Sequence, residues 1–156
     1  MLFAPTYEDR FDRVADALRL APSVTSDLIR TIIGEACVRI PTLAKAGKTG
    51  RIDQLIGAGA WTDAALALIE HELPAWTLRR LAYEDGEWMC SLSREPNLPT
   101  SLDDPAEAAH EILPLAILGA FLEARRRSVA LLESAGPAVG QPAHVPEYTV
   151  PCDNYV

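Results

Sequence analysis

The sequence is poor in the residues that hold small secreted domains together or bind metal ions. It has three cysteines, Cys37, Cys90 and Cys152, which are far apart and form no C-x-x-C pair. An odd number of widely spaced cysteines argues against both a disulfide framework and a zinc site. Cys37 and Cys90 fall on apolar faces, so we expect buried thiols in a reducing compartment.

Long apolar segments are also missing. No run of 18 apolar residues occurs, and the first five residues lack a basic region followed by an apolar stretch. The sequence therefore predicts neither a secretion signal nor a membrane span, and we expect a cytoplasmic protein that does not bind membranes.

Positive charge is scarce in the second part of the chain. Residues 61–156 carry 6 Lys and Arg against 15 Asp and Glu, whereas residues 1–60 carry 8 against 7, and the whole chain of 156 residues has a formal net charge of -8. Binding of a nucleic acid backbone needs clustered basic residues. Nucleic acid is therefore a disfavoured partner, and only the first segment is a candidate to bind it.

Apolar periodicity predicts an α+β protein that is mostly helical. Helices are expected over Tyr7–Leu20, Ser26–Arg39 ending at Pro41, and Arg51–Ile56, and in a helix with Thr62 as its N-cap. A mobile connection is expected over residues 42–50. We expect three regions: an N-terminal helical segment, 1–60; a helix, hairpin and helix unit, 61–135; and a Pro-rich extended or disordered tail, 136–156.

One β-hairpin is predicted over about residues 76–83 and 87–93, because two runs rich in Trp, Tyr and Leu flank Asp85-Gly86. A two-residue turn would place Tyr83 opposite Trp88, Leu81 opposite Cys90, Arg79 opposite Leu92 and Glu84 opposite Glu87. Flanking helices must cover this hairpin, or it must pair with another copy, because two strands alone are marginally stable.

After a loop over residues 94–104, Asp104 and Pro105 are typical of a helix start. Pro114 would then kink or restart this helix, and a strongly amphipathic helix is expected from Pro114 to Ser134.

Three short motifs suggest chemistry but lack the residues that it needs. AKAGKTG, residues 44–50, lacks the first glycine of a phosphate-binding loop, and a helix is expected before it where a strand is required. His71-Glu72 and His110-Glu111 each lack a second histidine four residues on, which a zinc-binding helix would supply. We therefore assign no catalytic, cofactor-binding or metal-binding residue, and the sequence leans towards a protein that is not an enzyme.

Residues 14–30 resemble the helix-turn-helix of small bacterial repressors, with a Pro-Ser start to the second helix. The resemblance implies a DNA-binding regulator or an antitoxin-like protein, in which Ser23 and Arg30 would contact DNA. Arg19 replaces the usual turn glycine and Thr25 replaces a buried aliphatic residue. Asp27 on the second helix would face phosphates unfavourably.

Arg125 lies in the middle of the apolar stripe of the last helix. Either its aliphatic stem covers apolar surface at the end of the core, or its guanidinium faces an acidic group of a partner. In the second case Arg125 and Arg126 would belong to an interface, and Trp88 on the hairpin is a further candidate interface residue.

The unit from Trp61 to Arg127, with WMCSLS ending the hairpin and LPLAILGAFLEA opening the last helix, resembles the phage ABA-sandwich type of small domain. It is also similar to a family of short uncharacterised bacterial proteins. The resemblance implies a short sheet packed against helices, and it implies no activity. The sequence therefore favours a non-enzymatic interaction or accessory protein that binds a protein partner or forms a homodimer through the hairpin edge or the last helix.

Overall fold

The computed structural model describes residues 4–134, which form six helices and a three-stranded antiparallel sheet. The elements in chain order are α1 (Tyr7–Leu20), α2 (Ser26–Ala36), α3 (Arg39–Lys45), α4 (Gly50–Gly57), α5 (Trp61–Glu72), β1 (Thr77–Glu84), β2 (Glu87–Ser93), β3 (Ala106–His110) and α6 (Leu113–Ser134). The strand order is β1-β2-β3. The predicted α+β class, mostly helical with a hairpin packed on helices, is confirmed.

Local capping explains where the first two helices begin. The Thr6 hydroxyl accepts a hydrogen bond from the Asp9 amide at 3.2 Å, and the Asp9 carboxylate accepts one from the Thr6 amide at 3.0 Å. Thr25 caps α2 in a similar way through the Leu28 amide at 3.1 Å. Such caps satisfy amide groups that the helix itself leaves without partners.

Three predicted helix boundaries are wrong. α2 ends at Ala36 rather than at Arg39, and Pro41 lies within α3 instead of ending a helix. Proline is tolerated there because the first turn of a helix makes no use of its amide hydrogens. Part of the expected mobile connection, residues 42–45, is consequently helical. α5 begins at Trp61, with Ala60 and not Thr62 as its N-cap.

The hairpin has the predicted turn and most of the predicted register. Asp85 and Gly86 both have positive φ angles, 52° and 86°, which is typical of the type I′ turn. The pairs Tyr83–Trp88, Leu81–Cys90 and Glu84–Glu87 are confirmed. The predicted pair of Arg79 with Leu92 is wrong, because a bulge between Leu78 and Arg80 places Leu78 opposite Leu92.

The bulge at Arg79 serves a contact with the loop that follows β2. The Arg79 guanidinium binds the buried Asp103 carboxylate and donates to the Leu98 carbonyl oxygen at 2.9 Å. A bulge redirects a side chain that regular pairing would send elsewhere. Arg79 therefore holds the loop between β2 and β3 against the sheet.

The segment after Pro105 is a strand, so the predicted helix start there is wrong. Residues of β3 pair with β2 from Leu92–Ala106 to Trp88–His110. Ala and Glu favour helices intrinsically, but β2 would otherwise expose its second edge, and tertiary pairing outweighs this propensity. The chain turns into α6 directly afterwards, with Pro114 in the first turn.

The core is built around α6. Nine of its residues are buried, and it packs against β2 and β3 on one side and against α1 and α5 on others. One cluster of buried apolar residues extends from α1 to α6. The boundary predicted at residue 60 stays a prediction, and the predicted tail, 136–156, lies outside the described residues. Within residues 4–134, no helix has both the length and the apolar character required to cross a membrane.

Candidate functional site

Arg125 is buried near the middle of α6, with 7% of its surface exposed. Its Nε donates a hydrogen bond to the Ala36 carbonyl oxygen at 2.6 Å and lies 3.7 Å from Oε1 of Glu72. Glu72 ends α5 and is itself 3% exposed. The acidic group that faces Arg125 is therefore Glu72 of the same chain and not a group of a partner, as the second sequence alternative expected. This intrachain pair explains how an arginine can occupy the apolar stripe of this helix.

The Glu72 carboxylate also caps α3, whose N-cap residue Val38 supplies no side-chain hydrogen bond. Oε1 accepts from the amides of Val38 at 2.7 Å and Arg39 at 3.1 Å, and Oε2 accepts from the Ile40 amide at 2.8 Å. Amide groups at a helix start favour a negative charge. One carboxylate thus joins the end of α5, the start of α3 and the arginine of α6.

Two open grooves meet at Arg125. One has a volume of about 440 Å³ and is called the Arg125 groove here; charged and apolar residues line it, among them Arg39, Glu72, Trp76, Arg94, Arg125 and Leu131. The other, of about 430 Å³, lies on the far side of the last turns of α6, with walls that are mainly apolar. Arg39, Glu72, Arg125 and Leu132 line both grooves.

The Arg125 groove is locally basic in an acidic protein. Three arginines and one glutamate line it, although the chain has a net charge of -8. Arg39 and Arg94 form no ion pair with any residue between 4 and 134. The Arg94 guanidinium stands 5.4 Å from the centre of the Trp76 ring, and the Trp76 indole donates to the Ser128 hydroxyl at 3.2 Å.

The guanidinium of Arg125 uses only part of its hydrogen-bonding capacity. Arginine carries five N–H donors, and only the one on Nε has a hydrogen-bond partner among the described residues. In this part of the chain every buried side-chain nitrogen or oxygen has a partner. Arg125 lines both grooves, so we place its two terminal nitrogens at the groove surface.

Exposed apolar side chains surround these grooves. Leu131 and Leu132 near the end of α6 are 42% and 74% exposed, and Tyr7 and Val38 across the second groove are 45% and 55% exposed. We call these four residues the α6 face. Single exposed apolar residues are common, but a group of them beside grooves is typical of a binding surface.

Cys37 lies against the same ion pair and is buried, as is Cys90, which confirms the sequence prediction for both thiols. Burial raises the pKa of the Cys37 thiol, and the nearby Glu72 carboxylate raises it further. Burial alone raises the pKa of Cys90 to about 11. Because the thiolate is the reactive form, neither cysteine is suited to act as a nucleophile.

The other predicted interface residues lie elsewhere. Arg126 donates to Asp12 at 2.9 Å and lies 3.9 Å from Glu8, so it ties α6 to α1. Trp88 is half-buried, with its ring centre 5.2 Å from that of Tyr83. Neither Arg126 nor Trp88 lines the Arg125 groove.

Ser23 and Arg30, the predicted DNA contacts, are both exposed, Ser23 between α1 and α2 and Arg30 on α2. Arg30 lies 3.9 Å from the Asp53 carboxylate, and Asp27 is exposed one turn before it. DNA binding stays a prediction, and these acidic neighbours work against it because they repel phosphates.

The short motifs have structural surroundings. Residues 44–50 run from the end of α3 through the connection at residues 46–49 to the start of α4, without a strand before them. His71 Nδ1 lies 2.8 Å from the Ala67 carbonyl oxygen, and His110 Nδ1 accepts from the Ile112 amide at 2.9 Å. In the described range no three metal-ligating side chains come together.

Sequence reasoning identified Arg125 but missed Glu72, Arg39 and Arg94 as members of one site. Arg125 was visible because it interrupts a periodic pattern. Glu72 carries a weaker signal. It ends a helix just before Leu73-Pro74, and an acidic residue at an exposed helix end is ordinary. Arg39 and Arg94 carry no such signal in the sequence. They line one groove because α3 and the end of β2 pack beside α6.

No family model, curated protein or solved structure matches this chain. The resemblance of residues 61–127 to phage ABA-sandwich domains and to short bacterial proteins therefore stays a prediction.

Proposed function

We propose that this protein is a non-enzymatic cytoplasmic interaction protein that binds a protein partner through the α6 face. The single observation that carries the proposal is the grouping of Leu131, Leu132, Tyr7 and Val38 around two open grooves. Exposed apolar side chains with arginine and tryptophan beside them form the energetic centre of many protein interfaces.

The chemistry of the charged groups supports binding over catalysis. Both Glu72 oxygens already accept amide hydrogens, so this carboxylate is poorly placed to take a proton from a substrate. The Cys37 thiol beside it has a raised pKa and stays protonated at neutral pH. Two buried, unpaired thiols also support the cytoplasmic location, where thiols remain reduced.

The proposal predicts that Leu132→Asp strongly weakens partner binding. A charge placed on an apolar contact residue commonly weakens a complex by about tenfold or more. The measurement is affinity capture from an extract of the protein's own cells, with retained proteins quantified by mass spectrometry. Leu102→Asp is the matched control, because Leu102 is also exposed, at 70%, but lies in the loop between β2 and β3.

Proteins retained by the wild type and by Leu102→Asp, and lost from Leu132→Asp, would support the α6 face. The proposal is contradicted if all three proteins retain the same set, or if the wild type retains nothing above background.

A second copy of the chain is a further partner, favoured by the outer edge of β1. Within residues 4–134, β1 pairs only with β2 and has an unused edge. Antiparallel pairing of two copies about Ala82 would place Arg80 of each opposite Glu84 of the other. Both side chains are exposed and form an ion pair with each other within β1. In the dimer this pair would be replaced by two pairs across the strands, and opposite charges facing each other across strands stabilise pairing.

This arrangement predicts a dimer that depends on the two charges. Arg80→Glu should weaken the dimer by about tenfold, since it places like charges opposite each other. The double variant Arg80→Glu/Glu84→Arg should restore it. Light-scattering mass over a concentration series is the measurement, and a monomeric wild type at millimolar concentration would exclude the β1 dimer.

A further inference from the structure

We infer that the Arg125 groove binds an aspartate or glutamate side chain of the partner, flanked by apolar residues of the same segment. This inference rests on the interaction function proposed above and adds the chemistry of the bound segment. It assigns Arg125 as the residue that contacts the carboxylate, with Arg39 and Arg94 at the rim.

Arg125 is held in place, but its hydrogen-bonding capacity is not saturated. Its side chain is 8% exposed, and the bond from Nε to the Ala36 carbonyl oxygen fixes the plane of the guanidinium. The terminal nitrogens have no hydrogen-bond partner among residues 4–134, and Arg125 lines the groove. A planar guanidinium with terminal nitrogens available matches the two oxygens of a carboxylate.

Glu72 does not remove this capacity. Its oxygens accept hydrogen bonds from three backbone amides, and the closest approach to Arg125 is 3.7 Å, which is too long for a hydrogen bond. Glu72 therefore offsets the cost of burying the arginine while leaving its donors for a ligand. An incoming carboxylate would accept hydrogen bonds from these remaining N–H donors of Arg125.

The rim of the groove defines the rest of the segment. Arg39 and Arg94 have no ion-pair partner in the described part of the chain, so the groove attracts negative charge in a protein that is otherwise acidic. Trp76 and Leu131 supply apolar walls beside these charges. A carboxylate next to apolar side chains satisfies both features at once, whereas a purely acidic segment would leave the walls uncovered.

The experiment is selection of random 12-residue peptides on the full chain, displayed through their C-terminal ends so that no terminal carboxylate is offered. Selected peptides are then synthesised with amidated ends, and their affinities are measured by fluorescence polarisation. Arg39→Gln and Arg94→Gln test the rim, and Arg51→Gln is the matched control, an exposed arginine on α4 that does not line the groove. Arg125→Met is added where its thermal unfolding shows a folded protein.

We expect the peptides to share one Asp or Glu beside apolar residues, and to lose about tenfold in affinity when it becomes Asn or Gln. Arg39→Gln and Arg94→Gln should each weaken binding several-fold, while Arg51→Gln should not. Failure to enrich any peptide, binding that ignores the acidic residue, or insensitivity to both rim variants would overturn the inference. So would saturation of the groove by octanoate with higher affinity than the peptides, since this would identify a small-molecule site.

These outcomes separate the two proposals. If peptide binding does not depend on a carboxylate but Leu132→Asp still loses its captured proteins, the interaction function stands and the role of Arg125 does not.

Discussion

Replacing Glu72 with glutamine is expected to lower the free energy of unfolding by about 3–5 kcal/mol, because it leaves a buried arginine without its counter-charge. Glutamine has nearly the same shape but only one acceptor oxygen, so it also loses amide partners at the start of α3. The loss affects four helices at once, since Glu72 of α5 contacts α3 and Arg125 of α6, which in turn binds the end of α2. Urea unfolding followed by circular dichroism measures it.

Glu70→Gln is the matched control for this prediction. Glu70 lies on the same helix, is exposed and has no hydrogen bond or ion pair with residues 4–134. Its substitution should change the free energy of unfolding by less than about 0.5 kcal/mol. A loss below about 1 kcal/mol for Glu72→Gln would mean that the pair contributes little, as many exposed pairs do.

Arg125→Met should be less damaging than Glu72→Gln. It leaves a carboxylate that still accepts three amide hydrogens, whereas Glu72→Gln leaves a charged guanidinium with one carbonyl partner. The reverse order of stability would show that packing of the arginine stem outweighs the charge of the pair.

Features that depend on local chemistry could be predicted from the sequence. Asp85-Gly86 adopts the positive φ angles that its residues allow, so the hairpin turn and its central register follow directly. The long apolar stripe of α6 likewise predicts this helix. In both cases a few neighbouring residues contain all the information.

Features that depend on partners distant in the sequence could not be predicted from it. Residues Ala106–His110 have helix-forming side chains and become a strand only because β2 offers an edge. The bulge at Arg79 exists because Asp103 and Leu98 lie within reach of its guanidinium. For the candidate site, periodicity marked Arg125 as unusual, but its partners come from α2 and α5, whose packing against α6 no local pattern specifies.

Gly119→Ala is expected to destabilise the protein by about 1–2 kcal/mol, although alanine is the better helix former by about 1 kcal/mol. A Cβ at position 119 of α6 would lie 2.8 Å from the Ala108 Cβ of β3. That atom is attached directly to the strand backbone, so β3 itself must shift. Steric overlap in a close-packed contact therefore outweighs the gain in helix propensity.

Gly34→Ala separates these two effects, because nothing lies within 4 Å of an added Cβ on α2. It should stabilise the protein by about 0.5–1 kcal/mol. The cause of the Gly119 effect is tested by adding Ala108→Gly, which removes the overlapping atom. Ala108→Gly should lower the free energy of unfolding by about 1 kcal/mol less in the Gly119→Ala background than in the wild type. If the losses of the two substitutions are additive, α6 and β3 move apart enough to avoid the overlap. Close packing of the two elements would then not depend on Gly119.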